Sequence, residues 1–271
     1  MFWNATSLNG LTIAATDGPI GTVSDLLFND ETWTARWLIV ATGSWFSSRK
    51  ILLPVSVLGK PDEDTRRFTV HLTRQQVRDS PEVDTELPVS RHKEAHVYHH
   101  YGWNPYWTSG FAPMGYPVAT SLVSPISRND AGPRFQEGDT DAVQDDGDPH
   151  LRSMHAIIGY HIAATDGEIG HVEDFLIDDT TWRLSLMTVD TKNLLPGQRV
   201  LLPVRIIRDI DWFTRVMTVA ADRAQIKSSP PYDPQMTSDG PFNEHSHQYF
   251  GLTLLDGDEL RKLKIGARIA R

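Results

Sequence analysis

The chain contains no cysteine, which excludes disulfides, thiolate metal sites and cysteine nucleophiles. It also lacks any apolar window near the roughly 18 to 20 residues that a membrane helix needs, so no membrane span is expected. The opening run MFWNATSLNGLTIAATDG has neither a basic leader nor a sustained apolar stretch, and so does not read as a secretory signal. A soluble, cytoplasmic protein is the expectation. Positive charge is in deficit, with 26 Lys and Arg against 35 Asp and Glu. Nucleic-acid surfaces need a clustered excess of cations, so no nucleic-acid partner is expected. The run LRKLKIGARIAR from Leu260 to Arg271 is a local exception. Missing too are the G-x-G-x-x-G and G-x-x-x-x-G-K-[ST] phosphate loops and the G-x-S-x-G nucleophile elbow. Asp256-Gly257-Asp258-Glu259 has the composition of a calcium loop without its spacing. No cofactor is expected, and an enzyme is the least favoured reading, because no nucleophile with a base and an orienting group assembles from this sequence.

What the chain does have is an internal repeat. AATDGPIG at Ala14–Gly21 recurs as AATDGEIG at Ala163–Gly170. The offset of 149 positions holds without a gap, pairing Trp33 with Trp182 and Leu52-Leu53-Pro54-Val55 with Leu201-Leu202-Pro203-Val204. About 30 of the 73 pairs that begin at Thr12 and end at Asp84 are identical. Two whole domains follow, since the period far exceeds that of solenoid units. A length of 271 residues allows each to bury its own core.

Within one repeat, the runs at 11–15, 20–28, 33–41, 49–57 and 66–72 are rich in β-branched and aromatic residues and are separated by turn signals. This is all-β spacing, and a short curved barrel hides the edges of so few strands. Asp17-Gly18 and Asp166-Gly167 suit tight hairpins in which glycine takes a positive φ, so both aspartates are read as turn residues. Val23, Asp25 and Leu27, like Val172, Asp174 and Leu176, lie two apart and should share a strand face. Asp25 and Asp174 would then be inward carboxylates that need hydrogen-bond donors. Short helical turns are expected at 73–79 and 222–228, each stopped by Ser-Pro.

Between the repeats lies SRHKEAHVYHHYGWNPYW. On a helix His92, His96, His99 and His100 form one stripe with metal-ligand spacing, although HKEAH places its Glu one residue late for the zinc-protease motif. Packing or exposure of a His-rich helix is the default reading. The aromatics Tyr98, Tyr101, Trp103, Tyr106 and Trp107 are candidate interaction residues, able to latch onto the barrel or to dock on another subunit. An acidic Pro/Gly/Ser-rich linker follows, up to His150.

The ordered pattern Thr16, Asp17, Gly18, Ile20, Gly21, Val23, Asp25, Trp33, Lys50, Leu53 and Pro54 resembles the PRC-barrel family, and so does its second copy, Thr165, Asp166, Gly167, Ile169, Gly170, Val172, Asp174, Trp182, Arg199, Leu202 and Pro203. The resemblance implies a mainly β chain of two tandem small barrels with short helices. It divides the chain into a first barrel at 1–84, a His/aromatic segment and acidic linker at 85–152, a second barrel at 153–233 and a C-terminal extension with a basic end at 234–271. Family members such as the photosynthetic reaction-centre H subunit and a ribosome maturation factor are mostly noncatalytic. The resemblance therefore implies a protein-interaction or scaffold role, with a protein partner or a second copy of the chain. A metal-binding or sensing role through the four histidines is the alternative.

Overall fold

The computed structural model describes residues 1–42, 49–62, 64–82, 91–103, 148–191, 198–229, 231–232 and 248–251. The chain is mainly β, in two sheets of seven strands. The first sheet contains β2 (Thr12–Ala15), β3 (Gly18–Asn29), β4 (Thr34–Thr42), β5 (Arg49–Pro54), β6 (Leu58–Asp62) and β7 (Arg67–Val70). Their order is β5-β4-β3-β2-β7-β6, antiparallel except for the β2/β7 pair. The second sheet repeats that order with β9 (His161–Ala164), β10 (Gly167–Asp178), β11 (Leu184–Asp190), β12 (Arg199–Pro203), β13 (Ile207–Asp211) and β14 (Val216–Val219).

The seventh strand of each sheet comes from the other repeat. β1 (Phe2–Asn4) pairs with β10, whereas β8 (Leu151–Ser153) pairs with β3. The two segments are 149 positions apart, so the exchange is reciprocal. The expected limits at 84 and 153 therefore do not coincide with the sheets: residues 2–4 belong to the second sheet and 151–153 to the first. Nor does each repeat keep a separate core. One buried cluster holds Ile13, Phe28, Leu38 and Phe68 together with Ile162, Phe175, Met187 and Met217.

The two matched tryptophans explain the fusion. Trp33 stacks on Phe28 of its own repeat and on Phe175 of the other, and Trp182 lies 5.9 Å from Phe68 across the junction. Ala35 N–H donates to the Trp182 carbonyl and Leu184 N–H to the Trp33 carbonyl, both at 2.8 Å. These bonds stitch the copies around a pseudo-twofold axis. Trp33 and Trp182 have φ of 52° and 56°, a left-handed conformation that costs a bulky residue energy. Asn29 and Asp178 hold it, each accepting the tryptophan N–H on its carbonyl and a threonine N–H on its side chain.

Local expectations need several corrections. Val55–Val57 is a 3₁₀ turn and not the end of a strand, and Leu58–Asp62 forms a further strand that its Gly and Pro conceal. Ala15 pairs with Gly18, so the hairpin tip is Thr16-Asp17, and Gly18, at φ 135°, is the first residue of the return strand. Gly21 and Gly170 serve close approach: a Cβ there would lie 2.1 Å from the carbonyl oxygens of Ala41 and Asp190 respectively. The largest correction concerns the face of Asp25. A bulge between Val23 and Asp25, and another between Val172 and Asp174, adds one residue to the long strand. An extra residue reverses the alternation. Val23, Leu26 and Phe28 thus enter the shared core, while Asp25 and Leu27 face the opposite side.

The expected short helices form at α1 (Arg74–Arg78) and, in the second repeat, at Arg223–Lys227. Thr73 and Asp222 cap them by accepting from Gln76 and Gln225 N–H. Asp17 and Asp166 add a second link, accepting the N–H of Arg74 and Arg223 at 2.7 and 2.8 Å. Each Asp therefore fastens its hairpin to the following helix, which is a structural task. Pro54 and Pro203 end β5 and β12 opposite Trp37 and Leu186 and lead into the 3₁₀ turns.

Candidate functional site

The polar residues of the repeat converge where the exchanged strands arrive. Asp174 accepts from Thr6 N–H at 3.1 Å, from Phe175 N–H at 2.7 Å and from the Thr6 hydroxyl. Asp25 accepts from His155 N–H at 3.2 Å, Leu26 N–H at 2.8 Å and the Ser153 hydroxyl at 2.5 Å. Thr6 and His155 occupy matched positions, so each aspartate grips the segment that the other repeat lends. The next link has the same symmetry. Asp179 binds the Met1 amino group at 3.0 Å, and Asp30 binds His150 Nδ1 at 2.8 Å and Arg152 Nε at 3.0 Å. These carboxylates hold two chain segments together. Burial pushes the Asp174 carboxyl above its usual range, against the pull of its Thr6 and Phe175 donors.

Beside the Asp174 clamp the copies diverge. Asn4, Thr6, Glu173, Asp174, Thr188, Arg199 and Tyr232 line a cleft of about 220 Å³. Arg199 pairs with Glu173 Oε1. Asn4 and Tyr232 exchange two hydrogen bonds, at 2.8 and 3.0 Å. Burial raises the Tyr232 phenol. Thr188 is 1% exposed, yet its hydroxyl has no hydrogen-bond partner, and the same holds for the buried Glu173 Oε2. The matched positions in the first repeat are Ser153, His155, Ser24, Asp25, Ile39, Lys50 and Val83. There Ser24 simply bonds to the Ile39 carbonyl, at 3.2 Å.

A second divergence lies at the β13–β14 hairpin. Trp212 and Phe213 stand at its tip, where the first repeat carries Glu63 and Asp64. Asp211 accepts both Phe213 and Thr214 N–H at 2.9 Å, fixing the turn, and hydrogen bonding from Thr214, its side chain first and then its backbone, holds the carboxyl below the ordinary value. The Arg152 guanidinium lies 4.4 Å over the Trp212 ring, and Tyr160 packs edge-on to it at 5.7 Å. Phe213 points outward and is 96% exposed.

The His/aromatic segment has its own place. Its helix, α2 (Arg91–Tyr101), covers the outer face of the first sheet. Val97 and Tyr98 pack on Leu27, Trp37, Ile39 and Leu52. The Tyr98 ring meets Trp37 edge-on at 4.9 Å. The buried Glu94 takes the Trp37 indole N–H. Burial, reinforced by the charge of Glu94, pushes the Tyr98 phenol up to about 12. Tyr101 stacks on Trp103 at 4.3 Å and both pack inward. Tyr98, Tyr101 and Trp103 are thus engaged with their own barrel and not presented as a docking patch, because Leu27, Trp37 and Leu52 offer them an apolar surface. Tyr106 and Trp107 lie outside the described residues. Among the histidines, His100 Nε2 is 2.9 Å from the Gln76 carbonyl, while His96 and His99 are exposed. The side chain of His92 lies outside the described set. Among the described residues no group of three His, Asp or Glu could hold a metal ion. Glu94, Val97 and Tyr98 give the helix its buried face, which leaves His96 and His99 on the exposed side.

Sequence reading found the clamps' aspartates and Arg199 as a motif position but missed Thr6, Glu173, Thr188, Tyr232, Trp212 and Phe213. The signal that could have found them is the set of differences between copies, such as Ile39 against Thr188.

Comparison with known proteins supports the first repeat directly. Residues 3–77 match the PRC-barrel domain. Over 71 residues the chain is 39% identical to an uncharacterized protein of Deinococcus radiodurans, covering 26% of this chain and 25% of that protein. The chain thus spans about a quarter of that relative. The matched PRC-barrel segment includes Trp3 to Leu8, the piece that seats on the second sheet. No helix among the described residues is long and apolar enough to cross a membrane.

Proposed function

We propose that the chain is a noncatalytic interaction protein in which two PRC-type barrels form one rigid body, and that the β13–β14 hairpin is its docking element. The observation that carries this reading is Phe213, extended into solvent at 96% exposure on a turn held by Asp211 and by the contacts of Trp212 with Arg152 and Tyr160. An exposed aromatic on a preorganised support is the composition of an interface anchor, because little rotamer or backbone entropy is lost when it is buried. The clamp carboxylates support the same reading, as Asp25, Asp30, Asp174 and Asp179 are committed to holding the two repeats together. The partner is a protein surface with an apolar pocket.

Photocrosslinking tests this. A benzophenone amino acid replaces Phe213 in the full chain, expressed in its native host, and Asp64 in a control. A discrete adduct from position 213, absent from position 64, is expected. A mass of two chains would make the partner a second copy, and any other discrete mass would make it a different protein. No adduct at 213, or equal adducts from both tips, overturns the reading.

A further inference from the structure

We propose that the cleft beside the Asp174 clamp binds a small organic monocation by accepting its N–H bonds, with Glu173 Oε2 and the Thr188 hydroxyl as its principal ligands. This site goes beyond the docking reading and stands independently of Phe213.

Buried polar groups normally find partners, and one left alone destabilises the fold. Thr188, at 1% exposure, carries an unpartnered hydroxyl in the wall of the cleft, and Glu173 Oε2 is buried and unpartnered in the same wall. The neighbouring groups are already matched. Arg199 takes Glu173 Oε1, Asn4 and Tyr232 satisfy each other, and Thr6 and Phe175 serve Asp174. The unfilled capacity is therefore the acceptor Glu173 Oε2 together with a Thr188 hydroxyl that can accept as well as donate.

Charge selects the ligand. Two carboxylates face one guanidinium in this wall, so an added anion would meet uncompensated negative charge and an added cation would be stabilised. A volume of about 220 Å³ corresponds to roughly seven waters at about 30 Å³ each, enough for a short alkylammonium ion with some of its hydration. A nitrogen cation is favoured over a divalent metal because, among the described residues, no three His, Asp or Glu side chains come together to hold one. The first repeat supplies the internal contrast. Ile39 replaces Thr188, and Ser24, in place of Glu173, is spent on the Ile39 carbonyl. A cleft that were only a by-product of the shared fold would not differ in the two groups that carry the unfilled valences.

The test is a titration of the ¹⁵N-labelled full chain with ethylammonium chloride, followed by amide chemical shifts. Tetramethylammonium chloride is the control, equal in charge but without an N–H. Saturable shifts are expected at the amides of Thr6, Glu173, Thr188 and Tyr232, with a Kd no tighter than roughly 1 mM for a ligand of so few atoms. Tetramethylammonium should leave these amides unshifted. Glu173→Gln should weaken binding by about tenfold, since it removes a charge-assisted bond. Thr188→Val should weaken it too, and Thr188→Ser should restore it. Should the valine variant fail to fold, the partly exposed Glu173 carries the test alone. Equal response to both cations, undiminished binding in Glu173→Gln, or the absence of any saturable shift overturns the proposal.

Discussion

The outer faces of β3 and β10 begin as copies of one surface and end with different covers. On the first, Leu27, Trp37 and Leu52 lie beneath α2, and Glu94 satisfies the Trp37 indole. On the second, Leu176 and Leu201 repeat Leu27 and Leu52 but Leu186 stands in place of Trp37, Phe2 and Tyr232 pack against them, and a polar cleft opens beside Thr188. The sequence divides in the same way at the β13–β14 tip, where Trp212-Phe213 align with Glu63-Asp64 of the first repeat. What has stayed constant is the joint: the Asp25 and Asp174 clamps, the Trp33 and Trp182 crossovers, and the tight glycines Gly21 and Gly170. Identity between the copies thus marks what joins them, and difference marks what each copy presents outward. A reciprocal strand exchange explains the division, because each joint residue serves both repeats while an outer-face residue serves one.

The severest way to break this comparison is to cut the shared core. Phe28 is 0% exposed and sits against Trp33 and Phe175, so Phe28→Ala should cost about 3–5 kcal/mol. Because the cluster spans both repeats, the loss should appear as one cooperative urea transition moved to lower denaturant, coincident by tryptophan fluorescence and far-UV circular dichroism. Two separated transitions, with the second repeat's unchanged, would show that the copies fold alone.

The shared core also shows where sequence reading stopped. Strand runs such as Ile20–Phe28 and the DG hairpins were legible because apolar alternation and turn chemistry are local. The bulges at Ser24 and Glu173 were not, since an extra residue leaves no compositional trace until its partner strand is known. Strict alternation without the bulge places Asp25 on the inward face, with Val23 and Leu27. Phe2–Asn4 and Leu151–Ser153 are only three residues long, and what makes them strands is the other repeat's sheet. No window around either segment contains that information. Thr188 and Phe213 were visible as differences between aligned copies, but their meaning depends on burial and exposure.

A gentler perturbation sharpens the joint itself. Thr6→Val keeps the shape of the side chain and removes the hydroxyl that serves Asp174, leaving the carboxylate with its two backbone donors. The expected cost is about 1–3 kcal/mol, the range for a buried polar group that loses a partner. Ser153→Ala removes the corresponding donor to Asp25 and should fall in the same range, so the two clamps can be compared directly by denaturant midpoint. A large loss for one and none for the other would mean that the exchange is energetically one-sided.

The smallest effect is a slope, and its sign separates two aspartates of the same repeat. Asp174 has its carboxyl raised above 3.8 by burial, whereas Asp166 is lowered below 3.8, first by the Arg223 backbone N–H. For Asp174 the native state holds its proton more tightly than the unfolded chain. Its contribution to stability is fully present below 3.8 and is lost as pH rises through the raised native value. For Asp166 the native state holds its proton less tightly, so its contribution is present above 3.8 and is lost as pH falls through the lowered native value. Subtracting the variant's stability from the wild type's isolates each group. Across the acid range the difference curve for Asp174→Asn should fall with rising pH, and that for Asp166→Asn should rise. Urea melts at closely spaced pH values measure both curves. Two curves of the same sign would mean that Asp174 is solvated in the native chain, and that the exchanged N-terminal segment does not close over it.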